Sequence, residues 1–119
     1  MNGIHPGESD GIDATMMLFR DLAQDSIALP ENTIIAAIPV YNVGGALNRN
    51  SFTRTNQNGP AEYVFRGNAR NYDLNRDFTK ADTKNTRSFY ETFHLLVPDV
   101  FIDTHVTNGA HYQYTPTHL

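Results

Sequence analysis

Apolar side chains recur along this chain in two patterns, one with the period of a helix and one without interruption. The stretch 12–25 places apolar residues about one helical turn apart, and Ser9 or Asp10 stands where a helix cap is favoured. A second helix is predicted over 81–96, and Pro98 follows just beyond its end. The sequence therefore predicts two amphipathic helices.

The continuous apolar run 33–40 (TIIAAIPV) is typical of a strand that is buried on both faces, and 99–106 (DVFIDTHV) is predicted to be a second buried strand. The run 62–66 is a candidate for a short third strand. Helices and strands that alternate in this way indicate the α/β class. We therefore expect part of a mixed, mostly parallel sheet flanked by helices.

The segment 41–80 between the first predicted strand and the second helix is rich in Asn, Gly and Arg and shows no clear periodicity. Such a length in a compact domain indicates a functional loop. Two strands are too few for a stable sheet, and an amphipathic helix needs the face of a sheet to pack against. We therefore expect residues 1–119 to be one partial domain from which both ends are missing.

The hydrophobic fraction, the net charge and the cysteine content limit the kinds of protein that this chain can be. A hydrophobic fraction of 39% with 11% aromatic residues is typical of a globular protein. A net charge of −4 gives no general attraction to nucleic acid, and there is no apolar run long enough to predict a membrane span. The chain has no cysteine, so His, Asp and Glu would have to hold any metal ion.

Candidate metal ligands lie near both ends of the chain. His5 and Glu8 flank Pro-Gly, which predicts a tight turn that either presents two zinc ligands or simply leads into the first helix. His105 lies near the end of an apolar run, as a third ligand or as a hydrogen-bonded structural residue. Two close ligands with one distant ligand are the usual layout of a catalytic zinc. Asp103 would then be an orienting partner or a buried acid.

The segment 65–78 (FRGNARNYDLNRDF) concentrates amide and guanidinium donors. Arg76 beside Asn75 can bind a carboxylate through two parallel hydrogen bonds, which a lysine could not reproduce. The alternative is a solvated basic loop whose arginines pair with Asp73 and Asp77. For this segment taken alone, the solvated basic loop is the preferred interpretation.

Taken in order, HPGE, RGNARNYDLNRDF and FIDTHVTNG resemble the zinc carboxypeptidase family, the carboxypeptidase A-like metallopeptidases. The match covers essentially the whole chain, as an N-terminal and middle portion of that domain. The resemblance implies one zinc ion held by His5, Glu8 and His105. It also implies a metallopeptidase that removes C-terminal residues from peptides or proteins, in the periplasm or outside the cell.

The same resemblance assigns the substrate contacts. Asn75 and Arg76 match the pair that holds the terminal carboxylate of the substrate, and Arg66 matches the arginine that stabilises the oxyanion. The loop lengths allow Arg54 in place of Arg66. These assignments describe an exopeptidase, because the enzyme would recognise the free end of its substrate.

One part of the family pattern is missing. The general base of the family is a glutamate far beyond the third zinc ligand, and no Asp or Glu follows Asp103 here. Tyr112 and Tyr114 follow His105 too closely to match the family's substrate-contacting tyrosine, and a packing role suits them better. We therefore expect residues 1–119 alone to be inactive.

Two other functions fit parts of the pattern. Zinc amidohydrolases of the aspartoacylase and succinylglutamate desuccinylase type are also similar in DLNRDF and DTH, and they cleave an N-acyl group from a small amino acid. A non-catalytic module that binds carboxylates through Asn75 and Arg76 is the third reading. HPGE and the RGNARN lead-in favour the carboxypeptidases.

Overall fold

The computed structural model describes residues 1–53 and 60–106. The helices are α1 (Asp10–Ala23), α2 (Val43–Leu47) and α3 (Lys84–Leu96), with a 3₁₀ turn at Leu74–Arg76. The strands are β1 (Arg49–Asn50) and β2 (Tyr63–Val64). None of the helices in these two ranges is long and apolar enough to cross a membrane.

The predicted mixed, mostly parallel sheet is wrong. The sheet found within the described residues has two strands, β1 and β2, which pair antiparallel with Arg49 opposite Val64. Neither 33–40 nor 99–106 forms a strand. A β-prone sequence becomes a strand only where neighbours pair with it and cover it. Here the apolar side chains of both runs are largely exposed, up to 92% for Ile34.

The start of the chain lies beside the end of the first apolar run. The backbone N–H of Asn2 donates to the carbonyl of Ile38 (3.0 Å), and the N–H of Tyr41 donates to the carbonyl of Asn2 (2.9 Å). The N–H of Asn42 donates to Gly3 (3.0 Å), whose φ of +66° lies in the left-handed region that glycine tolerates. These bonds hold residues 1–4 in place ahead of the HPGE turn.

Both predicted helices are confirmed, with shifted boundaries. Helix α1 begins at Asp10, and Ser9 occupies the N-cap position without a side-chain cap bond. Helix α3 begins after Thr83, whose hydroxyl oxygen accepts from the N–H of Thr86 at 3.2 Å. It ends at Leu96, and the C-cap residue Val97 has a left-handed φ of 43° and stands directly before Pro98. The two helices therefore follow the capping rules to different degrees.

A buried carboxylate strengthens the start of α3. Asp77 accepts from the N–H of Asp82 (2.9 Å) and from both the N–H and the hydroxyl of Thr83 (3.1 and 2.6 Å). Burial alone raises the pKa of Asp77, but hydrogen bonds from Thr83, Thr86 and the Asp82 N–H outweigh it and lower the pKa to about 2. The charged form of Asp77 is therefore part of the folded structure.

The core is small and aromatic. Its buried residues are Ile4, Tyr41, Leu74 and Phe89. The rings of Tyr41 and Phe89 meet edge to face with centroids 5.9 Å apart. Helix α1 has no buried residue, so its predicted apolar face is not covered by the described part of the chain.

Candidate metal centre

The HPGE segment forms a tight turn, as its Pro-Gly pair predicts. The N–H of Glu8 donates to the carbonyl of His5 at 3.0 Å, so both side chains leave the turn close together. Ile4, which is fully buried in the core, fixes the turn from the preceding position. His5 and Glu8 are themselves buried, with 3% and 6% of their surface exposed. Two polar side chains are thus buried in a fixed position.

Backbone bonds bring the distant end of the chain to this turn. The amino group of Met1 donates to the carbonyl of Ile102 (2.7 Å), and the N–H of Thr104 donates to the carbonyl of Met1 (3.1 Å). The hydroxyl of Thr104 also donates to the Asn2 side chain at 2.7 Å. His105 follows directly, so its imidazole reaches the HPGE turn.

The three predicted ligands converge. Glu8 has one carboxylate oxygen 3.1 Å from Nδ1 of His5 and the other 3.1 Å from Nδ1 of His105. The two imidazole centroids are 5.2 Å apart, and one donor atom from each of the three residues lies within 4.8 Å of the others. Two imidazole nitrogens and a carboxylate oxygen are the donor types that zinc prefers. The residues present therefore fit a single divalent cation.

Each imidazole is backed by a second carboxylate. Asp73 places a carboxylate oxygen 3.3 Å from Nε2 of His5, and Asp103 places one 3.0 Å from Nε2 of His105. In this structure Nδ1 of each histidine faces the Glu8 carboxylate as well. A carboxylate can only accept, so with a metal ion at the centre the proton of each imidazole would stay on Nε2. Both histidines then present Nδ1 to the centre, an orientation that metal-binding histidines commonly obtain from such partners. Asp103 is thus in the orienting position that was one of its two predicted roles.

The charge of Glu8 is stabilised by its neighbours. Burial alone raises the pKa of Glu8, but hydrogen bonding and charge from His5, the N–H of Val106 and His105 outweigh it and lower the pKa to about 2. The carboxylate therefore stays ionised at neutral pH, which is the state that a metal ligand requires.

Asp73 was missed as a site residue by sequence reasoning, which treated it as an ion-pair partner within a basic loop. It does pair with Arg66, whose Nε lies 3.1 Å from the second carboxylate oxygen, but it also contacts His5. Burial alone raises the pKa of Asp73, yet Arg66, His5 and the N–H of Asn75 together lower it. The signal available in the sequence was its place directly before the apolar Leu74, which is fully buried and fixes the segment.

Arg66 lies at the edge of the centre. Its Nη1 is 3.4 Å from Nδ1 of His5 and its Nε bonds Asp73, so the guanidinium borders the position where the three ligands meet. Its role as the oxyanion-stabilising arginine stays a prediction. Arg54, the alternative, lies outside the described residues, as do Tyr112 and Tyr114.

The predicted carboxylate anchor follows Asp73 in the 3₁₀ turn. The N–H of Asn75 donates to Asp73 at 3.0 Å, and the exposed guanidinium of Arg76 donates to the carbonyl of Asn75 at 3.0 Å. These bonds link the pair to Asp73, which contacts His5. The structure therefore connects this pair to the centre through Asp73.

Asn42 is a second residue that the sequence did not single out. Its side chain is fully buried, and its Nδ2 donates to the carbonyls of Ile4 (3.3 Å) and Arg66 (3.0 Å). Its oxygen accepts from the N–H of Gly45 at 2.9 Å and caps α2. One amide thus fixes the segments that carry His5 and Arg66 relative to each other.

The site combines the buried His5 and Glu8 and the partly exposed His105 with an arginine and two supporting carboxylates, which hydrogen bonds hold in place. Comparison of the chain with protein-family models, with curated proteins and with solved structures found no match.

Proposed function

We propose that this chain carries the metal centre of a zinc-dependent carboxypeptidase, an enzyme that hydrolyses the C-terminal peptide bond of its substrate. The observation that carries the proposal is the pair of imidazoles that present Nδ1 to Glu8 while a carboxylate bonds each Nε2. Buried polar groups are retained in this number only where they serve a function or are fully paired. A catalytic zinc site has three protein ligands of these types.

The chain's own residues supply binding and orientation. Zinc held by the three ligands would activate a water molecule and polarise the scissile carbonyl. Asp73 and Asp103 keep the two imidazoles in the required tautomer and orientation. Arg66, which borders the cluster at 3.4 Å from His5, is placed to stabilise negative charge that develops on the carbonyl oxygen.

Substrate selection is assigned to the 3₁₀ turn. The guanidinium of Arg76 is exposed and presents its planar donors to solvent, where a free carboxylate could bind it bidentately. Asn75 adds amide donors beside it. Recognition of a terminal carboxylate makes the reaction an exopeptidase one. The general base is not assigned to any residue of this chain.

Zinc binding is the first test of the proposal. Wild-type protein is expected to bind one zinc ion per chain, and both His5→Ala and His105→Ala should lose it, as measured by competition with a chromophoric chelator. His94→Ala is the matched control, because His94 is an exposed residue of α3 that bonds only the carbonyl of Tyr90 among the described residues. Stoichiometric zinc that survives both ligand substitutions would exclude the centre.

Carboxylate recognition is the second test. A short peptide with a free C-terminus should bind the zinc-loaded chain more tightly than the same peptide with an amidated C-terminus. Arg76→Met should remove that preference, because a lost charge-assisted hydrogen bond costs roughly tenfold or more in affinity. Arg49→Met is the control, since Arg49 is exposed in β1 and pairs at 3.6 Å with Glu62. Equal binding of the two peptides to wild type would contradict the carboxylate anchor.

The amidohydrolase reading remains as a second candidate because of the contact between Asp103 and His105, which realises the D-x-H part of that pattern. N-acyl amino acids and peptides with free C-termini distinguish the two functions. Zinc-dependent competition by an N-acyl amino acid, without any by the peptide, would favour the amidohydrolase.

A further inference from the structure

A cavity of about 320 Å³ lies apart from the metal centre. Its walls come from α2, from the loop 68–72 and from residues 82–87 at the start of α3. None of the ligands of the metal centre lines it, and neither do Arg66, Asp73 or Asp103. The cavity is therefore a separate place where a ligand could bind.

The lining of this cavity is strongly cationic in a chain whose net charge is −4. Arg70, Lys84 and Arg87 line it against a single carboxylate, that of Asp82. Among the described residues, none of the three cations forms an ion pair with a carboxylate. With three cations and one carboxylate, the ionisable groups of the lining carry a net charge of +2.

Two of these cations, Lys84 and Arg87, lie where positive charge destabilises helix α3. Lys84 is the first residue of α3 and Arg87 lies one turn later, whereas the first turn carries no acidic residue. The N-terminus of a helix already bears partial positive charge, so acidic residues stabilise it and basic residues do not. A local rule that is broken without a gain in stability is typical of a functional position. Asp77 already supplies a carboxylate to the N–H groups of Asp82 and Thr83. A bound anion would add negative charge beside Lys84 and Arg87.

Neutral donors complete the lining. The side-chain oxygen of Asn68 accepts from the N–H groups of Arg70 (2.9 Å) and Tyr72 (3.0 Å), which fixes the turn that presents the Arg70 side chain. Its Nδ2 faces the side-chain oxygen of Asn85 at 3.4 Å, so both amides lie on the cavity wall. Guanidinium forks with amide and ammonium donors suit a tetrahedral oxyanion, which offers acceptors in several directions.

We infer that this cavity is a binding site for a phosphate group. A phosphate carries about −1.5 to −2 charge at neutral pH, which balances the net charge of +2 of the lining, whereas a single carboxylate would leave one positive charge unbalanced. The site goes beyond the proposed hydrolase and does not depend on it, because it shares no residue with the metal centre. The group is either free inorganic phosphate or a phosphate monoester.

Calorimetric titration tests the site on the full chain in the presence of EDTA, so that no metal takes part. The titrants are inorganic phosphate and phosphoserine, at constant ionic strength set with chloride. Saturable binding of inorganic phosphate would identify a free-ion site, and saturable binding of phosphoserine alone would identify an ester site. Failure of both titrants to saturate would overturn the inference, whether or not zinc binds elsewhere.

Variants then locate the binding. Arg70→Met and Lys84→Met should each weaken the affinity roughly tenfold or more, because each removes a charge-assisted hydrogen bond. Arg49→Met, which removes the same charge from β1, should leave the affinity within about twofold, the range of a distant and screened charge. Wild-type affinity in both cavity variants would overturn the assignment.

A measurement on the unmodified chain provides an independent check. Amide resonances of residues 68–72 and 82–87 should shift during the phosphate titration and follow the calorimetric binding curve. Shifts confined to the segments around His5, Arg66 and His105 would place the anion at the metal centre and overturn the cavity site.

Discussion

Replacing Asp73 with asparagine should weaken zinc binding by roughly 10- to 100-fold, the range for loss of a carboxylate that orients a metal-binding histidine. Asparagine keeps the size of the side chain but removes the charge that accepts from Nε2 of His5 at 3.3 Å. It also removes the charged partner of Arg66, whose Nε lies 3.1 Å away. The His5 imidazole then loses the contact that fixes its tautomer.

The size of the effect follows from burial. His5 is only 3% exposed, so water cannot replace the lost acceptor, whereas the side chain of Asp73 is 34% exposed and part of its charge is screened. A 10- to 100-fold loss corresponds to about 1.4–2.7 kcal/mol of binding free energy. His105 is itself 34% exposed, so Asp103→Asn should fall at the lower end of the range. We expect Asp73→Asn to be the more damaging of the two.

Competition with a chromophoric zinc chelator at neutral pH measures these affinities. Asp25→Asn is the matched control, because it removes the same charge at an exposed position whose φ of 54° asparagine tolerates. Circular dichroism should confirm that all variants keep their helices. If Asp73→Asn binds zinc within twofold of Asp25→Asn, Asp73 does not orient His5 and the reasoning fails.

Four further outcomes are expected. Asp77→Asn should lower the free energy of unfolding by about 2–3 kcal/mol in urea titrations. Asparagine has one side-chain oxygen in place of two, so a donor at Thr83 or Asp82 is left unpaired. An unchanged urea midpoint would contradict this prediction. In EDTA, the free energy of unfolding should fall as the pH drops from about 4 towards 2. Glu8 and Asp77 have a pKa of about 2 in the folded chain and near 4 in the unfolded chain, so the unfolded chain binds more protons over this interval. A free energy of unfolding that rises over the same interval would refute this prediction. Val97→Gly should raise the free energy of unfolding by about 1 kcal/mol, since a β-branched residue at a φ of 43° is strained. A loss of stability would show that the contacts of the valine side chain outweigh this strain. Residues 1–119 with zinc should hydrolyse no peptide detectably in a chromatographic assay, and robust turnover would mean that a base lies within this chain.

Local signals predicted the elements that depend on local physics. The spacing of apolar residues and the proline beyond residue 96 predicted α1 and α3, because helices form from bonds between near neighbours in sequence. The Pro-Gly pair predicted the HPGE turn in the same way. The resemblance to the zinc carboxypeptidases then suggested the distant partner, His105, which no local pattern could have chosen over the other histidines.

Features that depend on distant contacts were harder to predict. The run 33–40 has every property of a buried strand, yet in the described structure no neighbour covers it and it forms none. Asp73 lies 68 positions from His5, and its charge was equally consistent with a surface ion pair. Asn42 reads as an ordinary polar residue until its two carbonyl partners are seen.

The contact between Glu8 and His105 joins positions 97 apart in sequence, so an ion held there would act as a cross-link around most of the chain. Closing a loop of this size lowers the entropy of the unfolded chain by an amount worth about 4–5 kcal/mol when the link is covalent. A metal ion at this point would therefore tie the beginning of the chain to its far end. Removing it would loosen the whole chain rather than one site, and a protease would detect that change at peptide bonds far from the ion.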